Sequence, residues 1–452
     1  MAVSATGAAT ISATGSKLPG LIRWTRGQAN HILKAMKKPD VIILASACAI
    51  APLAAGVLYL QPGTAGLLSW MPEYRPPLVL GALSPLVPLA LHALSRRLPR
   101  RLDRFRAPLR LASLALAALL SLAVLSGGAL YARLCSGYDP ALASALPAIR
   151  LSTAETRSLD ARHPAAPSES ASRPGVVPLA RLAFSSDPHV GSPRSNPGVT
   201  SGILDAAIRL DHSVFFLIGD IAEMGFPGTG FEDAARLIAR SLGAGSGSGD
   251  AGMRLVTLMG NHDSVVAGAR RYRAYFNPAR YFHLKIANAH VIALDLLWGS
   301  ESFDRAQRAW LERTLDSIPP GERVIVTSHC FMRSSGYVNR ETGKDWFDHA
   351  GTLRDVAPTL EARGVDLVIT GHNHYLEYLV SPVSAAGTRT AYAVVGGMGG
   401  HLDPGPEYVS PESVWRGAGS HGFATVELFS DGIEIAFRDE TGRELARFSP
   451  GN

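Results

Sequence analysis

Five short segments of the chain share one pattern, in which an apolar and often β-branched run is followed by side chains that can bind metals. The apolar runs are Leu182–Phe184, Val214–Ile218, Leu255–Met259, Val324–Thr327 and Leu367–Thr370. The polar segments behind them are Ser186-Asp187-Pro188-His189, Gly219-Asp220, Gly260-Asn261-His262-Asp263, Ser328-His329 and Gly371-His372-Asn373-His374. Such runs are typical of buried parallel strands, and in open α/β sheets ligands bind just beyond the carboxyl ends of the strands. The sequence therefore predicts that five strand ends bring aspartates, an asparagine and several histidines into one crevice.

The spacing inside two of these segments also favours a metal site. Asp187 and His189 lie two residues apart, and so do His372 and His374. In extended backbone, side chains at this spacing point to the same face, so each pair can hold a single ion. Carboxylate and imidazole ligands suit a divalent transition metal better than calcium, and the lack of cysteine in the set argues against a closed structural zinc site.

The order Asp-x-His, Gly-Asp, Gly-Asn-His-Asp, His and Gly-His-x-His resembles the calcineurin-like metallophosphoesterase superfamily. The resemblance covers roughly residues 178–452, and every core motif position is filled. It implies an α/β fold, a β-sandwich flanked by helices, with a dinuclear metal centre. It also implies an enzyme that hydrolyses phosphate esters with two divalent transition-metal ions, and manganese, iron and zinc all stay open as their identity.

The resemblance implies a role for each motif residue. One metal would be held by Asp187, His189 and His374, and the other by Asn261, His329 and His372. Asp220 would bridge the two ions, and His262 would be the histidine beside the leaving group that is not a ligand. Two cations about 3.5–4 Å apart lower the pKa of a bridging water, and the resulting hydroxide attacks phosphorus in line. His262 is suited to protonate the leaving alkoxide as a general acid.

Two further residues are candidates for a place in the site. Glu223, three residues after Asp220, could orient His262 through a hydrogen bond, or it could be a solvated loop carboxylate. His401 follows a glycine-rich segment and could contact substrate, or it could be an ordinary loop histidine. Asp263 is expected to be a structural acid rather than a ligand.

The N-terminal third contains three long runs without charged residues. They are Val41–Leu60, Pro77–Ser95 and Leu111–Tyr131. Each is long enough to cross a hydrocarbon core of about 30 Å, and the prolines inside the second run are tolerated in membrane helices. The sequence therefore predicts a membrane domain over residues 1–133 with three transmembrane helices, at about 41–60, 77–95 and 111–131.

Basic residues are distributed unequally around these runs. Six precede the first run and seven lie between the second and third, whereas Arg75 alone lies between the first and second and Arg133 alone just after the third. Under the positive-inside rule the N-terminus is cytoplasmic and the chain after about residue 132 is extracytoplasmic. The sequence thus predicts a multi-pass protein of the cell membrane whose catalytic domain faces the periplasm or the exterior.

The rest of the chain divides into a linker and a catalytic domain. Residues 134–177 are rich in Pro, Ala and Ser and are expected to form a linker. Residues 178–452 hold 25 Lys and Arg against 31 Asp and Glu, so the basic excess of the whole chain belongs to the membrane part and no nucleic-acid partner is expected. The strand-like runs Gly422–Phe429, Gly432–Phe437 and Arg443–Phe448 are expected to complete the second sheet.

Two function classes follow from these features. The first is a membrane-anchored, metal-dependent phosphoesterase acting on a phosphorylated small molecule or lipid outside the cytoplasm. The alternative is a membrane sensor or binding module that recognises a phosphorylated ligand without turnover. A third and weaker option is a hydrolase of non-phosphate substrates that uses the same site, since the fold does not determine the substrate. The residues distinguish neither monoesters from diesters nor one oligomeric state from another.

Overall fold

The computed structural model describes residues 38–59, 75–136, 138–161, 164–170, 173–225, 230–243, 252–265, 268–296, 303–338, 356–417 and 419–450. The chain forms two compact units, one from residues 1–52 and 82–125 and the other from residues 53–81 and 126–452. Each unit is described by itself.

The described part of the N-terminal region is mostly helical. Its helices are α1 (Lys38–Tyr59), α2 (Arg75–Leu83), α3 (Leu86–Arg97), a 3₁₀ helix (Arg100–Phe105) and α4 (Arg106–Ser136). The second apolar run is interrupted between α2 and α3 at Pro85, which has no backbone N–H to continue a helix. Three helical stretches are long and apolar enough to cross a membrane, namely Pro39–Val57, Arg75–Arg97 and Arg100–Leu130. The prediction of three such segments is confirmed in length and composition.

The first compact unit has apolar residues on its outside and a few polar groups inside. Ile42 and Leu111 are 64% and 69% exposed, as expected of helices that face lipid rather than water. Asp40 at the start of α1 is buried and pairs with Arg110 of α4. His92 of α3 is also buried, with Nδ1 3.4 Å from the hydroxyl of Ser113.

The second unit is built on two sheets. Its strands in chain order are β1 (Thr156–Leu159), β2 (Ala180–Ser185), β3 (Val214–Ile218), β4 (Arg254–Leu258), β5 (Phe282–Ile286), β6 (Ala289–Leu294), β7 (Arg323–Ser328), β8 (Leu367–Thr370), β9 (Leu376–Val380), β10 (Ala391–Val395), β11 (Ser413–Gly417), β12 (Gly422–Leu428), β13 (Ile433–Asp439) and β14 (Glu444–Phe448). One sheet has the order β1-β5-β6-β7-β8-β10-β9-β11, and the other has the order β14-β13-β12-β2-β3-β4. Apolar residues from both sheets form one core, in which Phe184 stacks on Phe216 with ring centroids 4.5 Å apart.

All five predicted motif strands are present, and they are divided between the two sheets. Strands β2, β3 and β4 are parallel neighbours in the six-stranded sheet. Strands β7 and β8 are parallel neighbours in the eight-stranded sheet. The C-terminal strands complete the six-stranded sheet, because β12 pairs antiparallel with β2 and is followed outwards by β13 and β14.

Helices cover the outer faces of the two sheets. They are α5 (Pro140–Ala145), α6 (Pro197–Arg209), α7 (Phe231–Gly243), α8 (Asn261–Ser264), α9 (Gly268–Tyr275), α10 (Arg305–Asp316) and α11 (Ala357–Ala362). The side chain of Asp304 caps α10 by accepting a hydrogen bond from the backbone N–H of Gln307 at 2.8 Å. Trp310 of α10 packs on Tyr281 and is buried.

The expected linker over residues 134–177 is not a linker throughout. Strand β1 pairs in parallel with β5 at the edge of the eight-stranded sheet. Leu146, Leu151 and Leu159 are buried in the hydrophobic clusters of the second unit. Three well-placed leucines therefore fix a segment whose average composition is poor in large apolar groups.

Candidate metal centre

The motif loops of both sheets meet at one place. Loops after β2 and β3 are joined by a hydrogen bond from His189 N to Asp220 O at 3.0 Å. Loops after β7 and β8 are joined by a hydrogen bond from Gly371 N to His329 O at 3.0 Å. The two pairs of loops are brought together by the carboxylate of Asp187, which accepts the N–H of His372 at 2.8 Å. Every metal-type side chain predicted from the five segments therefore lies in one cluster.

The first half of the cluster contains Asp187, His189 and His374. Nε2 of His189 lies 3.6 Å from Asp187 Oδ1, and Nε2 of His374 lies 3.4 Å from the same oxygen. The two Nε2 atoms are 3.1 Å apart. All three side chains are buried. These atoms form a group that could hold a metal ion.

The second half contains Asn261, His329 and His372. Nε2 of His329 lies 2.8 Å from Asn261 Oδ1 and 3.3 Å from His372 Nδ1. His329 is fixed from behind, because its Nδ1 donates to the carbonyl of Ile218 at 2.9 Å. Together with Asp220, the two histidines form a second group that could hold a metal ion.

Asp220 lies between the two halves. Its Oδ2 is 3.6 Å from His189 Nε2 and 3.3 Å from His329 Nε2. Its Oδ1 accepts the backbone N–H of His262 at 2.8 Å. One oxygen is thus held by the main chain, while the other faces both halves of the cluster.

Backbone strain is concentrated in this cluster. Four of the seven described non-glycine residues with positive φ are candidate ligands: Asp187, His189, Asp220 and His372. Such conformations cost free energy for residues with a Cβ, and they persist where the surroundings impose them. Asp220 packs closely against Gly260, and only glycine fits at that position, because a Cβ there would lie 2.1 Å from Asp220 Oδ1.

The donor atoms fit metal ions in chemistry and in spacing. With metal–ligand distances of about 2.0–2.2 Å, donors around a tetrahedral ion lie about 3.3–3.6 Å apart, close to the separations in both halves. Asp187 Oδ1 is buried without a hydrogen-bond partner among the described residues, although it is surrounded by nitrogen donors of the cluster. A buried carboxylate oxygen in that state requires a cation or a proton nearby.

Electrostatics keep the carboxylates ionised despite complete burial. Burial alone would raise the pKa of Asp187, but the neighbouring imidazoles of His189, His329 and His374 hold it well below its usual range. Burial would lower the pKa of His329, but the negative charges of Asp220 and Asp187 raise it to about 9. Burial and the positive charge of His329 lower the pKa of His372 to about 3, so this imidazole stays neutral. The cluster therefore favours positive charge between its carboxylates.

Glu223 does not make the contact that the sequence suggested. Its carboxylate Oε2 lies 2.9 Å from Nδ1 of His189, not beside the ring of His262. His262 instead donates from Nδ1 to the backbone carbonyl of Glu223 at 2.7 Å. The sequence could not distinguish these outcomes, because both histidines lie within reach of a loop at the end of β3.

Three further residues surround the cluster. His401 is exposed, and its backbone carbonyl accepts Nδ1 of His374 at 2.7 Å. Asp403, which sequence reasoning missed, accepts the backbone N–H of His374 at 2.7 Å. Asp263 accepts the N–H groups of Ala222 and Gly260 at 3.0 and 2.9 Å, in keeping with a structural role. Burial, together with the charge of Asp220, raises the pKa of Asp263 to about 7.

Comparison with known proteins identifies this part of the chain. Residues 180–376 match the family model of calcineurin-like phosphoesterases. This segment, which contains every motif residue named above, is thus similar to the calcineurin-like phosphoesterases. No curated protein sequence matches the chain.

Similar folds occur in solved structures of low sequence identity. The purple acid phosphatase PPD1 of yellow lupin (Lupinus luteus) is 15% identical, with a TM-score of 0.49 over 60% of this chain and 53% of that one. GAP50, the anchor in the inner membrane complex of Plasmodium, is 14% identical, with a TM-score of 0.40 over 60% and 88%. A dimetal phosphatase from Danio rerio is 14% identical, with a TM-score of 0.37 over 61% and 99%. The chain spans about half the length of the lupin phosphatase.

Proposed function

We propose that the chain is a membrane-anchored phosphoesterase whose domain holds two divalent transition-metal ions. The observation that carries the proposal is the position of Asp220, whose Oδ2 faces a histidine of each half at 3.6 and 3.3 Å. One carboxylate can serve two ions in this geometry. The family match to calcineurin-like phosphoesterases supports the class of reaction.

Each ion would have its own ligand set beside the shared Asp220. Asp187, His189 and His374 would hold the first ion, and Asn261, His329 and His372 would hold the second. When bound, two such ions lower the pKa of water and neutralise the phosphoryl oxygens of a substrate. The buried walls of the site strengthen these effects, because charges interact more strongly away from bulk water.

His262 is the proposed general acid. Its ring lies 4.7 Å from the ring of His189, and it also forms a group with His189 and Asp220 that could hold a metal ion, so His262 borders the first half. Because Nδ1 donates to the carbonyl of Glu223 at 2.7 Å, Nε2 is the nitrogen that can deliver a proton to a leaving alkoxide. A positioned acid of this kind typically contributes about 10²–10⁴-fold to the rate.

The test uses the full chain in detergent with a series of phosphate mono- and diesters. We expect hydrolysis of at least one class, and we expect His262→Ala to reduce kcat strongly for esters with poor leaving groups. The reduction should shrink for nitrophenyl esters, since nitrophenolate scarcely needs a proton. Binding of phosphorylated ligands with no turnover of any ester would instead support the sensor alternative.

The proposed topology puts the phosphoesterase domain outside the cytoplasm. It is supported by the three apolar helical stretches and by the arginines between α3 and α4, of which Arg100, Arg101 and Arg104 are exposed. Such clusters are typical of cytoplasmic loops. A reporter that is active only outside the cytoplasm should be active at the C-terminus of the chain and silent when fused after Arg101. The reverse pattern would place the domain inside.

A further inference from the structure

The histidines of the cluster are anchored in two different ways. His329 and His374 each donate Nδ1 to a backbone carbonyl, those of Ile218 and His401, at 2.9 and 2.7 Å. His189 has no such carbonyl among the contacts of its Nδ1, which lies 2.9 Å from the side-chain carboxylate of Glu223. A substitution can therefore remove the anchor of His189, whereas the other two anchors belong to the main chain.

The backbone explains why Glu223 reaches His189. The loops after β2 and β3 pair through a parallel bridge between Val190 and Ala222. Val190 N donates to Ile221 O at 3.0 Å, and Glu223 N donates to Val190 O at 3.1 Å. This pairing places Glu223 beside the residue that follows His189, and a glutamate side chain spans the remaining distance.

The contact determines which nitrogen of His189 faces the metal centre. When Nδ1 carries the proton and donates it to a carboxylate, Nε2 keeps its lone pair for a metal. Nε2 of His189 is the atom that lies 3.6 Å from both Asp187 Oδ1 and Asp220 Oδ2. Glu223 thus lies behind a ligand nitrogen aimed at the centre of the first half.

We propose that Glu223 is a positioning residue for the ligand His189, and that its carboxylate is not the hydrogen-bond partner that orients His262. The inference rests on the proposed two-metal function and assigns to Glu223 a role in metal binding. The hydrogen bond between His262 and residue 223 is made with the backbone carbonyl. That contact survives any side-chain substitution at position 223, so metal binding and proton transfer respond differently to such changes.

The first test compares Glu223→Ala, Glu223→Gln and Glu223→Asp in the full chain by calorimetric titration of the metal-free protein with Mn²⁺ or Zn²⁺. Loss of a partner behind a metal ligand typically weakens binding by about 10–100-fold. We expect that loss at one of two sites in the Ala and Asp variants, because aspartate is one methylene too short. Gln should retain most of the affinity, since its amide oxygen can accept the same N–H. Glu312→Ala, which changes an exposed residue of α10, is the control.

The ranking of the variants by metal affinity shows whether Glu223 acts by positioning His189 or only by its negative charge. A higher metal affinity in Glu223→Gln than in Glu223→Asp supports positioning by a hydrogen bond. A higher affinity in Glu223→Asp would mean that only the negative charge matters, and it would overturn the proposal. Unchanged affinity in all three variants would overturn it as well. Should the Ala variant not fold, the Gln and Asp pair still gives this order. The titration needs no substrate, so it stands apart from any failure to find phosphoesterase activity.

A second readout separates His189 from His262. If the proposal holds, the dependence of kcat on the leaving group is the same in Glu223→Gln, Glu223→Asp and the wild type at saturating metal. A loss of activity confined to poor leaving groups, with metal affinity unchanged, would assign the carboxylate to His262 and contradict the proposal.

Discussion

The two halves of the candidate metal centre are similar in geometry and different in charge. The first half has its own carboxylate, Asp187, and a second acid behind it, Glu223. Among the described residues, the second half has candidate ligands without a negative charge, Asn261, His329 and His372, apart from the shared Asp220. Anionic ligands attract a cation more strongly than neutral ones at equal distance. We therefore expect the first half to bind its ion more tightly, and the second ion to leave first when a chelator is added.

The largest effect is expected from Asp220, the one residue that both halves share. Asp220→Asn keeps the shape of the side chain but removes the negative charge between the two positions. We expect loss of activity well beyond the about 10–100-fold typical of a residue behind a ligand, together with weaker binding of both ions. Steady-state kinetics and metal titration check this. A variant that loses only one ion would mean that Asp220 belongs to one half and does not bridge.

A pair of isosteric substitutions tests the difference in charge. Asp187→Asn makes the first half as neutral as the second, so it should weaken the tighter site. Asn261→Asp adds a carboxylate to the second half, so it should strengthen the weaker site. The side-chain amide of Asn261 has no hydrogen-bond partner for Nδ2 among the described residues, so an oxygen there displaces no contact.

Calorimetric titration of both variants gives the two affinities. Equal affinities in the wild type, or no response of the weaker site to Asn261→Asp, would show that charge does not distinguish the halves.

The smallest effect is expected from pH, acting on His262 rather than on either half. Burial lowers the pKa of His262 below its ordinary value of 6.5. The protonated form exists only below this pKa, so the supply of general acid falls as pH rises through it. We expect kcat for esters with poor leaving groups to begin to fall below pH 6.5 and to keep falling as the pH rises. In His262→Ala this fall should be absent. A wild-type profile that instead rises through this range would contradict the role of His262 as an acid.

The local parts of the site could be predicted from the sequence. Each motif follows an apolar run, and Val214–Ile218 and Leu367–Thr370 have the predicted bounds. The set of strands that share each sheet could not be predicted, because it depends on pairings between distant residues, such as Val426 with Leu182. No local pattern encodes such a partner.

The surroundings of the site were harder to predict for the same reason. The sequence suggests a hydrogen bond between Glu223 and His262, or a solvated loop carboxylate. The position of Glu223 after Asp220 does not reveal that the loops after β2 and β3 pair and bring it to His189. Asp403 was missed because it lies in a loop with no strand before it and reaches the backbone of His374 only in the fold. The composition of residues 134–177 predicts a linker because an average over the segment hides single buried leucines.

The measurement that tests the account most directly is the metal content of the active protein. The full chain, purified in detergent and freed of loose metal, is analysed for transition elements while its phosphoesterase activity is measured on the same sample. We expect two ions per chain in fully active protein, with activity falling as the second ion is removed and returning when it is restored. An active preparation with no more than trace transition metal would contradict the two-metal centre.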